Sequence, residues 1–246
     1  HRVDRRQRQM CIRDRINGVL AALNIFSQEF ADQKAVKWGF VYAPTYQLGS
    51  GEKAVIISDL EPFDIFYNTI ASTGFQTQGG YEMLYDMIYL LMKGIVPQTS
   101  MPYQISDLQW IPWVDSIPDL QNFSVNWRPN ANHVIIVFTD EDGQSYMNSP
   151  TLPPIDGKTA FGNGYITQPI LLDLIKQDPK LSIYTFTPQY YKTYNFIGKP
   201  GGWEPISLAS ALGKWFELTN SATEIYAHLS EILSETACGE EPPPTP

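Results

Sequence analysis

Apolar positions along this chain fall into two periods. Val134–Phe138 is a run of five apolar residues, mostly β-branched, that stops at Thr139, Asp140, Glu141 and Asp142. A run this short predicts a strand covered on both faces. Leu181–Phe186 predicts a second buried strand, and Lys214–Leu218 predicts a third strand. Trp38–Ala43 and Ala54–Ser58 flank turn chemistry at Leu48–Lys53, which predicts an antiparallel hairpin. Helical spacing appears over Ile16–Asp32, where Ile16, Val19, Leu20, Leu23, Phe26 and Phe30 share a face. Tyr81–Lys93 stacks Met83, Leu84, Met87, Ile88 and Leu91 on one side, and Gly94 suits its C-terminal cap. The methionines there read as core filler. Shorter helices are predicted over Phe63–Ile70, Gln168–Gln177 and Ile206–Leu212. Ser221 and Glu224 frame a capping box. The helix it opens carries Ile225, Leu229, Ile232 and Leu233 on one face and ends near Cys238–Gly239.

Alternating helices and buried strands predict an α/β fold. The sheet is expected to be doubly wound, Rossmann-like and mostly parallel, with helices on both faces and one antiparallel edge hairpin strand. Three long loops interrupt it. Ile95–Asn132 is punctuated by proline and carries Trp110, Trp113 and Trp127. Loops of that length are functional or hold structure of their own. Its tryptophans are expected to pack the loop onto the body, the commoner fate of large aromatics. Asn148–Gly164 is rich in Pro and Gly, and Thr187–Pro205 carries Tyr190, Tyr191 and Tyr194. The two aromatic loops are the expected specificity surfaces.

Charge narrows the function. The net charge is −9, and nucleic acid needs a basic stripe, so nucleic acid is excluded as a partner. No apolar run reaches the length of a membrane span. Plentiful Tyr, Trp, Asn, Gln and Pro with sparse Lys suits an extracytoplasmic surface. His1–Arg15 differs from all that follows, with six arginines and two acids. Met10–Arg15 has the look of translated adapter sequence. We therefore expect residues 1–15 to be a non-native basic tail, residues 16–238 to form the domain, and residues 239–246 to be a proline-rich tail or linker. Two cysteines, Cys11 and Cys238, support neither a disulfide framework nor a zinc site.

The carboxylates behind Phe138 carry the candidate chemistry. Ligands gather at the carboxyl ends of strands in open α/β sheets, and a hard cation prefers oxygen ligands. The same acids would also solvate a strand exit or cap the next segment. No nucleophile elbow, Cys/His pair or zinc pattern is present. His133 opens a strand and His228 lies on a helix, so both read as structural.

Three segments together resemble a von Willebrand factor A-type domain, in the manner of integrin β I-like domains and secreted bacterial relatives. They are Gly79-Gly80-Tyr81-Glu82 with the helix behind it, Val134–Phe138 with Thr139-Asp140-Glu141, and Lys214–Thr219 with its capped helix. The resemblance implies a metal-ion-dependent adhesion site for Mg²⁺ or Ca²⁺ above the sheet. Glu82 matches the acid of the second metal loop and Asp140 the Asp of the third. Thr73 and Thr77 are further candidate ligands, and Tyr81 stands where the family usually has Thr. Asp142 and Ser145 are expected at the partner-binding rim. The serine-bearing first loop and its central strand are not found. Asp14 has no accompanying serines, and Ile16–Asp32 fits the helix that follows that loop. We expect the strand to have been cut off upstream of residue 16, and metal binding by this chain to be weak or absent.

The leading expectation is a binding module that holds a protein or cell-surface ligand, with a ligand carboxylate as the expected contact, and is not catalytic. It would sit outside the cell, at the cell surface or in the periplasm. One alternative is a glycan-acting hydrolase using paired carboxylates. Another is a metal-free scaffold for protein contacts.

Overall fold

The computed structural model describes residues 5–30, 36–43, 55–73, 82–104, 107–110, 124–148, 165–196 and 198–237. The elements in chain order are helix α1 (Arg5–Phe30), strands β1 (Trp38–Tyr42) and β2 (Val55–Glu61), and helices α2 (Phe63–Thr73) and α3 (Leu84–Met92). Strands β3 (Gln109–Trp110), β4 (His133–Phe138) and β5 (Met147–Asn148) follow, then helix α4 (Gln168–Ile175). Strands β6 (Leu181–Thr187), β7 (Asn195–Phe196) and β8 (Lys199–Pro200), helix α5 (Glu204–Leu208), strand β9 (Trp215–Glu217) and helix α6 (Ala222–Ala237) complete the chain.

The architecture is mixed α/β. Strands β4, β6 and β9 form a parallel sheet with β6 in the middle. The hairpin β1–β2 is antiparallel and forms its own ladder. Alternating side chains divide into two cores. Ile135, Val137, Leu181 and Ile183 meet α3, α4 and α5 on one face. Tyr184, Phe186, Val134, Ile136 and Phe138 meet α1, α2 and α6 on the other. Strand β1 obeys the same alternation, with Val41 and Ala43 on the first core and Trp38 and Phe40 on the second. Phe26, Trp38 and Phe63 pack edge-on or tilted, with ring centres 5.1–5.4 Å apart. Burying side chains of this size contributes roughly 1.5–3 kcal/mol each.

Several expectations are corrected. Strand β4 is not covered on both faces throughout; it alternates buried and half-exposed positions, whereas β6 is buried at all seven. The reason is that β4 has a ladder on one side only among the described residues. Helix α1 already begins at Arg5, although its described core residues start at Val19. Helix α3 begins at Leu84 because Glu82 forms a single bridge and Met83 is non-helical, with φ −85° and ψ 48°. It is buried nearly all round, at Tyr85–Leu90 and Met92, rather than along one stripe. Helix α5 starts two residues early at Glu204, with Pro205 in its first turn. The capping box is half made. Glu224 N donates to Ser221 Oγ at 3.3 Å, but the Glu224 carboxylate accepts from Thr219 Oγ1 at 2.8 Å instead of reaching back to Ser221.

The long loops carry structure of their own. Gln98–Ser100 is a 3₁₀ turn, and β3 pairs with β5. Tyr89 Oη donates to Tyr103 O at 2.6 Å and accepts from Tyr103 N at 3.0 Å. Trp127 packs as expected, donating from its indole to Leu91 O at 3.0 Å. His133 is structural: Nδ1 lies 3.0 Å from Asp178 and Nε2 lies 3.2 Å from the Arg128 carbonyl. His228 stacks on Phe216 at 4.1 Å. Thr77, Tyr81, Trp113, Cys238 and the tail at 239–246 lie outside the described residues, as do most of the loop at 148–164 and residues 1–4. Among the described residues, no helix is long and apolar enough to cross a membrane.

Candidate functional site

Thr139 continues the ladder of β4 by donating its N–H to Phe186 O at 3.1 Å. The chain then breaks away from the sheet. Thr139 Oγ1 accepts the N–H of Glu141 at 3.0 Å, which folds Thr139–Glu141 into a tight turn. The same hydroxyl donates to the Glu82 carboxylate. Glu82 stands two residues ahead of α3, and Tyr85 N then donates to Gln144 O at 3.1 Å, so the acidic loop caps the first turn of that helix.

Glu82 and Asp140 are therefore brought together at the carboxyl end of β4. Burial, then the charge of Asp140, push the Glu82 carboxyl up to about 7, against the lowering effect of the Thr139 hydrogen bond. Among the described residues, the neighbours acting on Glu82 are a hydroxyl and a second carboxylate rather than a cation. Glu82, Asp140 and Glu141 are half-exposed. Two carboxylates and a hydroxyl are the donor chemistry of a hard cation. The set is small: among the described residues, no group of three or more His, Cys, Asp or Glu could hold a metal ion.

The other candidates are placed differently. Thr73 is the last residue of α2, and Thr77 lies outside the described residues. Asp142 and Ser145, expected at an exposed rim, are completely buried. The loop folds inward because apolar and polar anchors cover it. Trp203, itself fully buried, donates from Nε1 to Glu141 O at 2.8 Å and meets Tyr85 edge-on at 5.4 Å. Gly143 donates to Gly201 O at 2.9 Å. Asp142 Oδ1 accepts from Gln144 Nε2 at 2.7 Å, while Asp142 Oδ2 and Gln144 Oε1 have no hydrogen-bond partner among the described residues. Burial pushes the Asp142 carboxyl up to about 6.

Behind the acidic loop lies a buried network that sequence reasoning missed. Asp86, in the first turn of α3, accepts from Ser145 Oγ and from the backbone of Tyr146 and Met147. Gln168, at the start of α4, donates to Gly202 O at 2.6 Å and lies 3.4 Å from Tyr85 Oη. The available signal was Asp86 itself, a lone acid inside the otherwise apolar stretch Met83–Met92. Compared with protein-family models, with curated proteins and with solved structures, the chain matches none.

Proposed function

We propose that this chain is a binding module of the von Willebrand factor A type. In this reading it is extracytoplasmic, depends on Mg²⁺ or Ca²⁺, and holds a protein or cell-surface ligand. The observation that carries the reading is the approach of Glu82 to Thr139 and Asp140 at the exit of β4. A carboxylate from each of two loops, with a hydroxyl beside them, suits a divalent cation with positions left for water or a partner. When bound, that cation supplies the attraction for a partner carboxylate. Glu82 and Asp140 contribute the charge, Thr139 holds Glu82 in place, and Trp203 and Asp86 fix the loop that carries Asp140. The parallel order β4–β6–β9, with α1, α2 and α6 on one face and α3, α4 and α5 on the other, is compatible with this family.

The serine-bearing loop of the family is not in the sequence, so the test is where a cation binds rather than how tightly. Millimolar Mn²⁺ is expected to broaden nuclear resonances around Glu82 and Thr139–Glu141. The effect should disappear in both Glu82→Gln and Asp140→Asn. Broadening centred elsewhere, or unchanged in both variants, would remove the reading. Calorimetric titration with Mg²⁺ checks the expected weakness, which micromolar affinity would overturn.

A glycan-acting hydrolase is the second reading. Its support is that Glu82, held near neutrality beside Asp140, has the character of an acid in a carboxylate pair. Trp127 is engaged in packing, bonded to Leu91 O and edge-on to His133. Turnover of a glycan panel, abolished by Glu82→Gln, would favour this reading. A metal-free scaffold predicts instead that partner binding survives chelation.

A further inference from the structure

The strap between β6 and β7 gathers three tyrosines at the surface. Pro188 leads into a 3₁₀ turn at Gln189–Tyr191, closed by Tyr191 N donating to Pro188 O at 2.9 Å. The turn brings Tyr190, Tyr191 and Tyr194 together, with ring centres 5.0–5.2 Å apart. Tyr190 is still 69% exposed, and Tyr191 and Tyr194 are half-exposed. The strap is laced to the acidic loop by backbone. Gly201 N donates to Tyr194 O at 3.0 Å, Trp203 N to Tyr191 O at 3.1 Å, and Gly143 N to Gly201 O at 2.9 Å. Gly201 lets the two segments close up. The position its Cβ would take lies 3.2 Å from Asp142 Oδ2 and 3.4 Å from the Tyr194 ring. That carboxylate oxygen is buried behind the cluster with no hydrogen-bond partner among the described residues. The Tyr194 hydroxyl is pushed up by burial first, then by Asp142, Tyr190 and Glu141. Lys192, within the strap, is directed instead to Glu204 at 3.3 Å and to the Trp215 ring at 4.6 Å.

We propose that the tyrosine cluster is a docking surface for an arginine-bearing segment of a partner protein. The charge of the ligand follows from the field. Aromatic faces attract cations, and carboxylates in a low-dielectric backing strengthen that attraction. The net charge of −9 acts in the same sense. The size of the ligand follows from the packing. Rings that touch edge to face enclose no cage, so a cation meets only an outer ring face. A small free ammonium gains little there, whereas a side chain held by its own polypeptide is already positioned. Arginine suits such a face because its planar guanidinium stacks on a ring while its N–H groups reach neighbouring oxygens. Tyrosine and arginine are also frequent anchors of protein interfaces. The proposal does not require a metal.

Nuclear magnetic resonance titration of the full chain, in the presence of chelator, tests it. The probe is an end-capped peptide of alternating arginine and glycine. The control carries neutral citrulline in place of arginine. The arginine peptide is expected to shift the Tyr190 ring resonances and the amides of Gly201 and Gly202 with millimolar or tighter affinity, and the citrulline peptide is not. Tyr190→Ala should leave the melting temperature unchanged, since the side chain is mostly exposed, and weaken binding at least about tenfold. Tyr190→Phe should restore it. An acidic protein attracts basic peptides everywhere, but Tyr190→Ala keeps every charge and so isolates the cluster. The absence of shifts at millimolar peptide, equal binding of the citrulline control, or unchanged affinity in Tyr190→Ala would each overturn the proposal.

Discussion

Ser145 Oγ donates to Asp86 Oδ1 across 2.5 Å, and both residues are completely buried. The other oxygen of Asp86 accepts the amides of Tyr146 at 2.6 Å and Met147 at 3.2 Å, while Ser145 Oγ accepts Ile166 N at 3.1 Å. One carboxylate on α3 thus pins the far end of the acidic loop and, through Ser145, the segment entering α4. Asp86→Ala takes away the acceptor that Ser145 Oγ and the amides of Tyr146 and Met147 share. It is expected to destabilise the fold by about 3 kcal/mol or more, since each orphaned group costs roughly 1–3 kcal/mol. Ser145→Ala removes less and should cost about 1–2 kcal/mol. Urea unfolding at constant m value measures both.

The same carboxyl makes stability depend on pH. Burial raises Asp86 from its ordinary 3.8 to about 7, outweighing its three hydrogen bonds. Below the lower value both the folded and unfolded chains carry the proton. Between the two values only the folded chain holds it, so stability falls as pH rises through that window and levels off above it. Glu82 and Asp142 are shifted in the same direction. The melting temperature should therefore decline between pH 4 and pH 7, and Asp86→Asn should flatten part of that slope. An unchanged slope in the variant would show that Asp86 does not titrate there.

Much of this was legible in the sequence because it depended on local period. Val134–Phe138 is a short apolar run and Leu181–Phe186 a short stretch in which Ser182 and Thr185 interrupt large apolar residues, and both are strands. Ile225, Leu229, Ile232 and Leu233 repeat at helical spacing, and all face the second core. The approach of Glu82 to Asp140 was reachable only through family resemblance, because the two residues lie on separate segments. What could not be read was depth. Asp142 and Ser145 sit in a polar loop and look exposed, but Trp203 holds the neighbouring Glu141 carbonyl and Asp86 accepts from Ser145, both from distant parts of the chain. Nor could periodicity show which strand is central. The more continuous apolar run is β4, yet β6, with Ser182, Thr185 and Thr187, is the strand buried at all seven positions.

Trp203 anchors the acidic loop through one hydrogen bond and a large buried surface. Trp203→Phe keeps most of the surface but strands the Glu141 carbonyl, so a loss of about 1–3 kcal/mol is expected. Trp203→Ala also opens a cavity and should cost about 3–5 kcal/mol. Thermal unfolding of the two variants against the parent separates the polar part from the packing part.

Lys214 makes ion pairs with Glu231 at 2.7 Å and with Glu235. All three side chains remain well exposed to water, so screening and side-chain entropy offset most of the attraction. Lys214→Ala is expected to cost less than about 1 kcal/mol, and less still in high salt. A loss several times larger would mean that β9 is held to α6 by charge rather than by Phe216, Leu218 and the apolar face of the helix.

Two glycines near the site should fail for different reasons. A Cβ on Gly143 would lie within 1.9–2.2 Å of the Tyr85 ring and hydroxyl, which is a side chain. A Cβ on Gly202 would lie 2.7 Å from Tyr194 N and 2.8 Å from Lys192 O, which are backbone. Both Gly143→Ala and Gly202→Ala should destabilise strongly, because neither contact tolerates the added methyl. Their rescue should differ. Shortening Tyr85 to alanine makes room at Gly143, so the double variant should recover at least about 1 kcal/mol relative to the summed single effects. No truncation of a side chain makes room at Gly202, where the strap at Lys192–Tyr194 crosses the chain. If Tyr85→Ala rescued both substitutions equally, the two glycines would be failing through a shared loosening of the loop, and the separate close contacts would not be its cause.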